Sequence, residues 1–198
     1  MPVKFYRRCL PLSGANQITM KNLFHFAILI MTLSACHSKS GVPVVDSTAV
    51  YTVPDEKAIT KAVYNAYNSI SFKKGESPNY ENIKACFIPQ AQLINYGSDT
   101  AQITNLSQFV YLYRSFVEGD TVYAYSEKEL FGKTEQFGKI AERMSTYKSV
   151  TISKKATTTE TGVNSFQLIK TPAGWKVSSI IWDVERKGLK IPGYYLAR

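Results

Sequence analysis

Five carboxylates stand in the stretches of this chain that alternate like strands: Glu127, Glu129, Glu142, Asp183 and Glu185. Interleaved with them are the donors Tyr123, Tyr125, Arg143, Tyr147 and Trp182. A carboxylate in apolar surroundings opposite a neutral donor can remove a proton while the donor steadies the resulting oxyanion. Strict alternation puts Tyr123, Tyr125, Glu127 and Glu129 on one face of a strand, and Arg143, Ser145 and Tyr147 on one face of the next. It groups Asp183 with Trp175, Val177, Ser179 and Ile181. Asp183 thus ends an apolar stripe, where a cavity mouth would raise its pKa. The simpler reading is that it closes the strand, caps a turn, or pairs with Arg143 or Arg186. Arg143 is either a cross-strand partner of Glu127 or Glu129 or the anion-binding group of a pocket.

Several chemistries find no support. The two histidines, His25 and His37, precede the region of regular structure, so neither a histidine acid/base pair nor a histidine-held metal is expected there. No glycine-rich phosphate loop and no serine or cysteine nucleophile motif occurs, and no cofactor is expected. The formal charge of +9 is scattered in pairs such as Lys73-Lys74, Lys154-Lys155 and Arg186-Lys187. Nucleic acid would call for a basic stripe. Cys86 lies in the apolar run Ala85-Cys86-Phe87-Ile88, where a buried, inert thiol is expected.

The elements that must position these groups follow from periodicity. Thr52 and Asp55 have capping-box spacing with Pro54 in the first turn. Apolar residues at Ile59, Ala62, Val63, Ala66, Tyr67 and Ile70 then predict a helix to about Phe72. A short helix from Tyr80 to Phe87 stops at Pro89, Gln90 to Tyr96 reads as a strand, and a third helix opens near Thr104 and ends at Gly119-Asp120. Strands follow at Thr121 to Phe131, Phe137 to Ser149, Glu160 to Lys170 and Trp175 to Val184. The last two are joined by the turn Thr171-Pro172-Ala173-Gly174. Helices first and antiparallel strands afterwards predict an α+β fold, with helices on one face of a curved sheet.

Residues 20–35 have the parts of an export signal. Met20-Lys21-Asn22 is a short basic start, Leu23 to Leu33 an apolar core, and Leu33-Ser34-Ala35-Cys36 resembles the lipobox of bacterial lipoproteins. The apolar core has 11 residues, against about 20 for a spanning helix. The resemblance implies cleavage before Cys36, lipidation of its thiol, and a membrane partner. Residues 1–19 fit no part of a signal, so translation is expected to start at Met20. Residues 36–53 are the lipidated cysteine and a tether, and 54–198 the domain. Loss of Lys4, Arg7, Arg8 and Lys21 with the leader lowers the charge from +9 to +5. The expected location is the bacterial cell envelope, and His37 rather than Asp after the cysteine favours the outer membrane.

The run Gly162-Val163-Asn164-Ser165-Phe166-Gln167-Leu168, followed by Gly174-Trp175-Lys176-Val177-Ser178-Ser179-Ile180-Ile181-Trp182-Asp183, resembles the nuclear transport factor 2-like superfamily. Polyketide cyclase-like and ketosteroid isomerase-like proteins share that fold. Phe137-Gly138-Lys139-Ile140-Ala141 and Ile191-Pro192-Gly193-Tyr194-Tyr195-Leu196 are similar to the preceding strand and the tail of a bacterial subgroup. The resemblance, over Asp55 to Leu196, implies a cone: a bent sheet wrapped over helices, with a pocket at its open end. The expected ligand-binding set is Tyr123, Tyr125, Glu127, Glu129, Arg143, Tyr147, Trp182 and Asp183. The leading expectation is a domain that binds a small apolar or sugar-like ligand, or a partner protein, without catalysis. The alternatives are an isomerase or dehydratase with Asp183 as base and Tyr147 or Arg143 steadying an oxyanion, and a module that forms a homodimer through its sheet.

Overall fold

The computed structural model describes residues 51–97, 100–119 and 121–196. The expected signal, Cys36 and most of the expected tether lie outside the described residues. The elements run α1 (Glu56–Ser69), α2 (Tyr80–Cys86), β1 (Phe87–Asn95), β2 (Gln102–Asn105), α3 (Leu106–Gly119), β3 (Val122–Phe137), β4 (Ile140–Ser153), β5 (Thr157–Thr171) and β6 (Gly174–Val184), then a 3₁₀ turn at Gly193–Tyr195. The strands form one sheet in the order β2-β1-β6-β5-β4-β3. All neighbours are antiparallel except β1 and β6. The α+β class is as the sequence predicts.

Helix α1 buries Ile59, Val63, Ala66 and Tyr67, the stripe expected from its period. Its start and end differ from expectation. Asp55 precedes the first turn but makes no side-chain cap. Its carboxylate accepts instead from Gln136 Nε2 at 2.9 Å and Lys170 Nζ at 2.8 Å. The helix stops at Ser69 because Phe72 has left it to bridge β3: Phe72 N–H donates to Tyr125 O at 2.8 Å, and Tyr125 N–H returns the bond at 3.1 Å.

Pro89 does not break the chain but sits inside β1, within the gap between Phe87 and Gln92 in the pairing with β6. A residue without an N–H is tolerated where the ladder is interrupted. Before α3 a short strand, β2, occupies Gln102–Asn105, so the helix opens at Leu106 rather than near Thr104. Asn105 and Gln108 form a reciprocal cap: Gln108 N–H donates to Asn105 Oδ1 at 2.9 Å, and Asn105 N–H to Gln108 Oε1 at 3.0 Å. This is the capping-box logic with amides.

Strands β3 and β4 are longer than expected and meet in a two-residue turn, Gly138-Lys139, between the paired Phe137 and Ile140. Gly138 has φ of +55°, a conformation suited to glycine. Three register shifts decide which side chains face the helices. One lies between Val122 and Ala124, one between Glu129 and Phe131, and one opposite Gln167 and Leu168, at Ser178 of β6. Each bulge adds a residue and reverses the alternation beyond it. After β6 the chain returns to the outer sheet face, where Thr146 Oγ1 donates to Tyr195 O and is almost fully buried.

Candidate functional site

The bulges sort the expected site residues. On the face toward the helices lie Tyr125, Glu127, Glu129, Arg143, Tyr147 and Trp182. Tyr123 does not join them: the bulge at its own position turns it outward, 40% exposed. Asp183 is also corrected. The bulge at Ser178 leaves Trp175 and Val177 inside with Ile180 and Trp182, and turns Ser179, Ile181 and Asp183 outward. The Asp183 carboxylate accepts from Arg186 Nη1 and from the Val184 N–H. It thus makes one of its expected structural pairings, with Arg186 and not with Arg143.

Glu129 and Arg143 form the firmer half of the interior. Arg143 Nε donates to Glu129 Oε2 at 2.9 Å and Nη2 to Oε1 at 2.7 Å, a bidentate pair. Nη1 donates to Glu56 Oε1 of α1 at 3.0 Å and to Thr134 Oγ1. Burial works against the guanidinium charge, but Glu129 and then Glu56 more than offset it, so its pKa lies above the ordinary value. The group lies flat over Gly132, where an added Cβ would sit 2.4 Å from Nη2.

The second half is built on Glu127. Tyr125 donates its hydroxyl proton to Glu127 Oε2, and Asn164 Nδ2 reaches Oε1 at 3.4 Å. Desolvation raises the pKa of Glu127 to about 7, against the lowering pull of Tyr125 and Asn164 and with a smaller push from Glu160. Tyr67 of α1 links the halves. Its oxygen accepts from Asn164 Nδ2 at 2.9 Å and lies 2.7 Å from Ser145 Oγ. Ser145 gives its proton to Glu129 Oε2 at 2.6 Å. Each hydroxyl has one proton, so the chain runs in one direction: Asn164 to Tyr67 to Ser145 to Glu129.

Two carboxylates two residues apart on β3 therefore have opposite environments. Glu129 is paired with a cation and accepts from a hydroxyl; Glu127 meets neutral donors and, with its pKa raised to about 7 by burial, can exchange a proton near neutral pH. Aromatic rings close around them. Tyr67 packs edge-on against Phe166 and tilted against Tyr147, Tyr125 against Tyr113 and Phe116, and Trp182 against Phe109. Burial is also the first cause of the raised pKa values of Tyr67, Tyr125 and Tyr147.

Tyr67, Asn164 and Thr134 were not singled out from the sequence as site residues. Tyr67 looked like one more member of a helical core stripe, and an asparagine or threonine within a strand carries no distinguishing pattern. The Tyr147 ring lies over Gly162, where an added Cβ would meet Asp183 O at 2.5 Å and the Tyr147 ring and hydroxyl at 2.7 Å. Gly162→Ala is expected to cost about 2 kcal/mol through this overpacking, measured by urea unfolding. A neutral result would show that Tyr147 is free to move aside.

Among the described residues two open grooves border these groups, one at Tyr125 and the other at Glu56, Gly132 and Thr134. One of about 740 Å³ runs between α1, α2 and β6, lined by Asn65, Asn68, Asn82, Phe72, Tyr125 and Trp175 among others. The other, of about 970 Å³, lies along the β3–β4 hairpin and includes Tyr51, Val53, Phe131, Phe137 and Ile140. Glu127 lines neither of these two grooves. Cys86 borders the first groove, and burial raises the pKa of its thiol.

No protein-family profile matches the chain, and no curated protein matches it. Solved structures do. A nuclear transport factor 2-like superfamily protein from Salmonella enterica serovar Typhimurium aligns with a TM-score of 0.55 at 17% identity, over 66% of this chain and 91% of that one. A protein from Novosphingobium aromaticivorans assigned as a scytalone dehydratase aligns with a TM-score of 0.55 at 12% identity, over 67% and 85%. A hexachlorocyclohexane dehydrochlorinase aligns with a TM-score of 0.55 at 7% identity, over 67% and 86%. The fold is that of nuclear transport factor 2-like proteins; at these identities the likeness extends to the fold alone.

Proposed function

We propose that this chain is an exported, lipid-anchored binding domain that holds a neutral, hydroxyl-rich ligand of the saccharide type in the groove between α1 and α2. The observation that carries this reading is where polar groups are engaged and where they are offered. Inside, Glu127, Glu129 and Arg143 are bonded by the protein's own side chains. The groove, by contrast, presents the amides of Asn65, Asn68 and Asn82, with both signs of charge alongside from Lys73, Lys176 and Glu76 and the buried Phe72 and Trp175 behind them. Amides match hydroxyl groups as donors and acceptors at once. The lipobox-like Leu33-Ser34-Ala35-Cys36 supports the anchor.

Binding to an array of neutral glycans tests the ligand class. Exchanging Asn68 and Asn82 together for alanine is expected to weaken binding about tenfold or more, as two hydrogen bonds are lost, while leaving the melting temperature nearly unchanged. Binding that survives the exchange, or a folded domain that takes no glycan, would reject the groove.

A second reading has its own support. The near-neutral pKa of Glu127, with the Tyr125 hydroxyl on its carboxylate, suits a general base better than the outward-facing Asp183 does. In that reading Glu127 takes the proton, and Asn164 and Tyr125 hold the carboxylate in place. It requires the surrounding rings to part and admit a substrate. Loss of turnover in Glu127→Gln, with full turnover in Asp183→Asn, would favour it over pure binding.

A further inference from the structure

We propose that the β3–β4 hairpin tip rests in the surface of the bilayer that carries Cys36, so that the domain meets the membrane in a fixed orientation; this rests on the anchored reading. The tip exposes two large apolar side chains side by side. Phe137 is 83% exposed and its cross-strand partner Ile140 is 59% exposed. The turn between them carries Lys139; Lys133, four residues before Phe137, is paired with Glu135 at 2.9 Å. An exposed apolar pair with a lysine in its turn suits the boundary between headgroups and acyl chains. The exposed Pro172 and Ala173 of the neighbouring β5–β6 turn lie at the same end of the sheet, and Lys170 N–H donates to Lys139 O at 2.9 Å.

The chain enters the domain at this same end. Tyr51 Oη accepts from the Gln136 N–H at 2.6 Å and donates to Gln136 O, one residue before Phe137. Gln136 Oε1 accepts from the Asp55 N–H at 2.9 Å, and Gln136 Nε2 donates to Asp55 Oδ2 at 2.9 Å and to Gly138 O at 3.0 Å. The polypeptide that arrives from Cys36 is thus strapped to the hairpin turn. Residues 37–50 span at most about 50 Å when fully extended, so the bilayer holding the cysteine is within reach of the tip. A lipid anchor reinforced by a second contact holds a domain more firmly than either alone.

The test uses the full chain made in a bacterial host that processes lipoproteins, in a Cys86→Ser background, with Lys139→Cys or Lys154→Cys carrying an environment-sensitive fluorophore. Lys154 lies in the β4–β5 turn, at the opposite end of the sheet. The protein is placed in vesicles of phosphatidylethanolamine and phosphatidylglycerol that contain lipid-borne quenchers, and lipidation of Cys36 is followed by labelled palmitate. Quenching several-fold greater at 139 than at 154, abolished by Phe137→Ser with Ile140→Ser while palmitate is still incorporated, is the expected result.

Equal quenching at both positions in a palmitate-labelled protein would overturn the docked tip and leave the anchor standing. A tip shielded only as protein concentration rises would assign it to a second copy of the chain and also overturn the proposal. No palmitate at Cys36 would remove the anchored reading itself.

Discussion

Arg143→Met should destabilise the domain by about 3 kcal/mol and lower its melting temperature by about 10 °C. The guanidinium side chain is 6% exposed and is bonded to the Glu129 side chain, 22% exposed, and to the half-exposed Glu56. Removing the cation leaves the Glu129 carboxylate in a partly desolvated place without its counter-charge, with Ser145 still donating to it. The cost is that of the stranded carboxylate rather than the net worth of the pair, so the double exchange Glu129→Leu with Arg143→Met should recover most of it. Urea unfolding of the two single variants and the double completes the cycle. A loss below about 1 kcal/mol in Arg143→Met would mean that water reaches Glu129 and that the interior is open.

The second large effect is a dependence on pH. Glu127 has a pKa of about 7 in the folded chain against an ordinary value of 4.5. The folded state therefore holds this proton where the unfolded state has lost it. Its stabilising contribution is complete below pH 4.5 and is lost as pH rises through 7, a change of about 3 kcal/mol. Glu127→Gln should flatten stability between pH 5 and 8 and make the variant the more stable protein at pH 8. Profiles that run parallel for the two proteins would show that Glu127 is ionised throughout. Asp55 acts in the opposite sense. Hydrogen bonds from Lys170 and then Gln136 hold its pKa below 3.8, so what it contributes is present above that pH and fades in acid, outside the Glu127 window.

The helices and five of the six strands were legible because they follow from period and punctuation, properties of neighbouring residues; the short β2 and the order of strands in the sheet were not. Ile59, Val63, Ala66 and Tyr67 face the core as their spacing requires. The Arg143–Glu129 pair was legible as one of two alternatives. What failed was the arrangement of faces beyond each bulge. Asp183 and Tyr123 were placed by alternation, and one inserted residue reversed each assignment. A bulge is set by how two strands pair, so nothing in the run around Ser178 announces it. The cap at Asn105 was available in the Asn-x-x-Gln spacing, but Thr104 and Leu106 read as helix with it. The link from Asn164 through Tyr67 to Ser145 joins residues 97 and 78 positions apart, a separation over which local pattern carries no information.

The place of β6 in the sheet also governs when the molecule can form. This last strand lies between β5 and β1, and its pairing with β1 is what ties β1 and β2 to the hairpins of β3, β4 and β5. Until β6 is present the sheet exists as two separate pieces, each with an exposed edge. Synthesis must therefore pass Val184 before the sheet can close, and a chain that stops short of Gly174 keeps both edges open to other strands. Joining Phe87 to Val177 and Leu93 to Ile180 closes loops of nearly ninety residues, so the final docking is a long-range and comparatively slow event. Completion of the fold thus waits on β6, and takes place in whichever compartment that strand is delivered to.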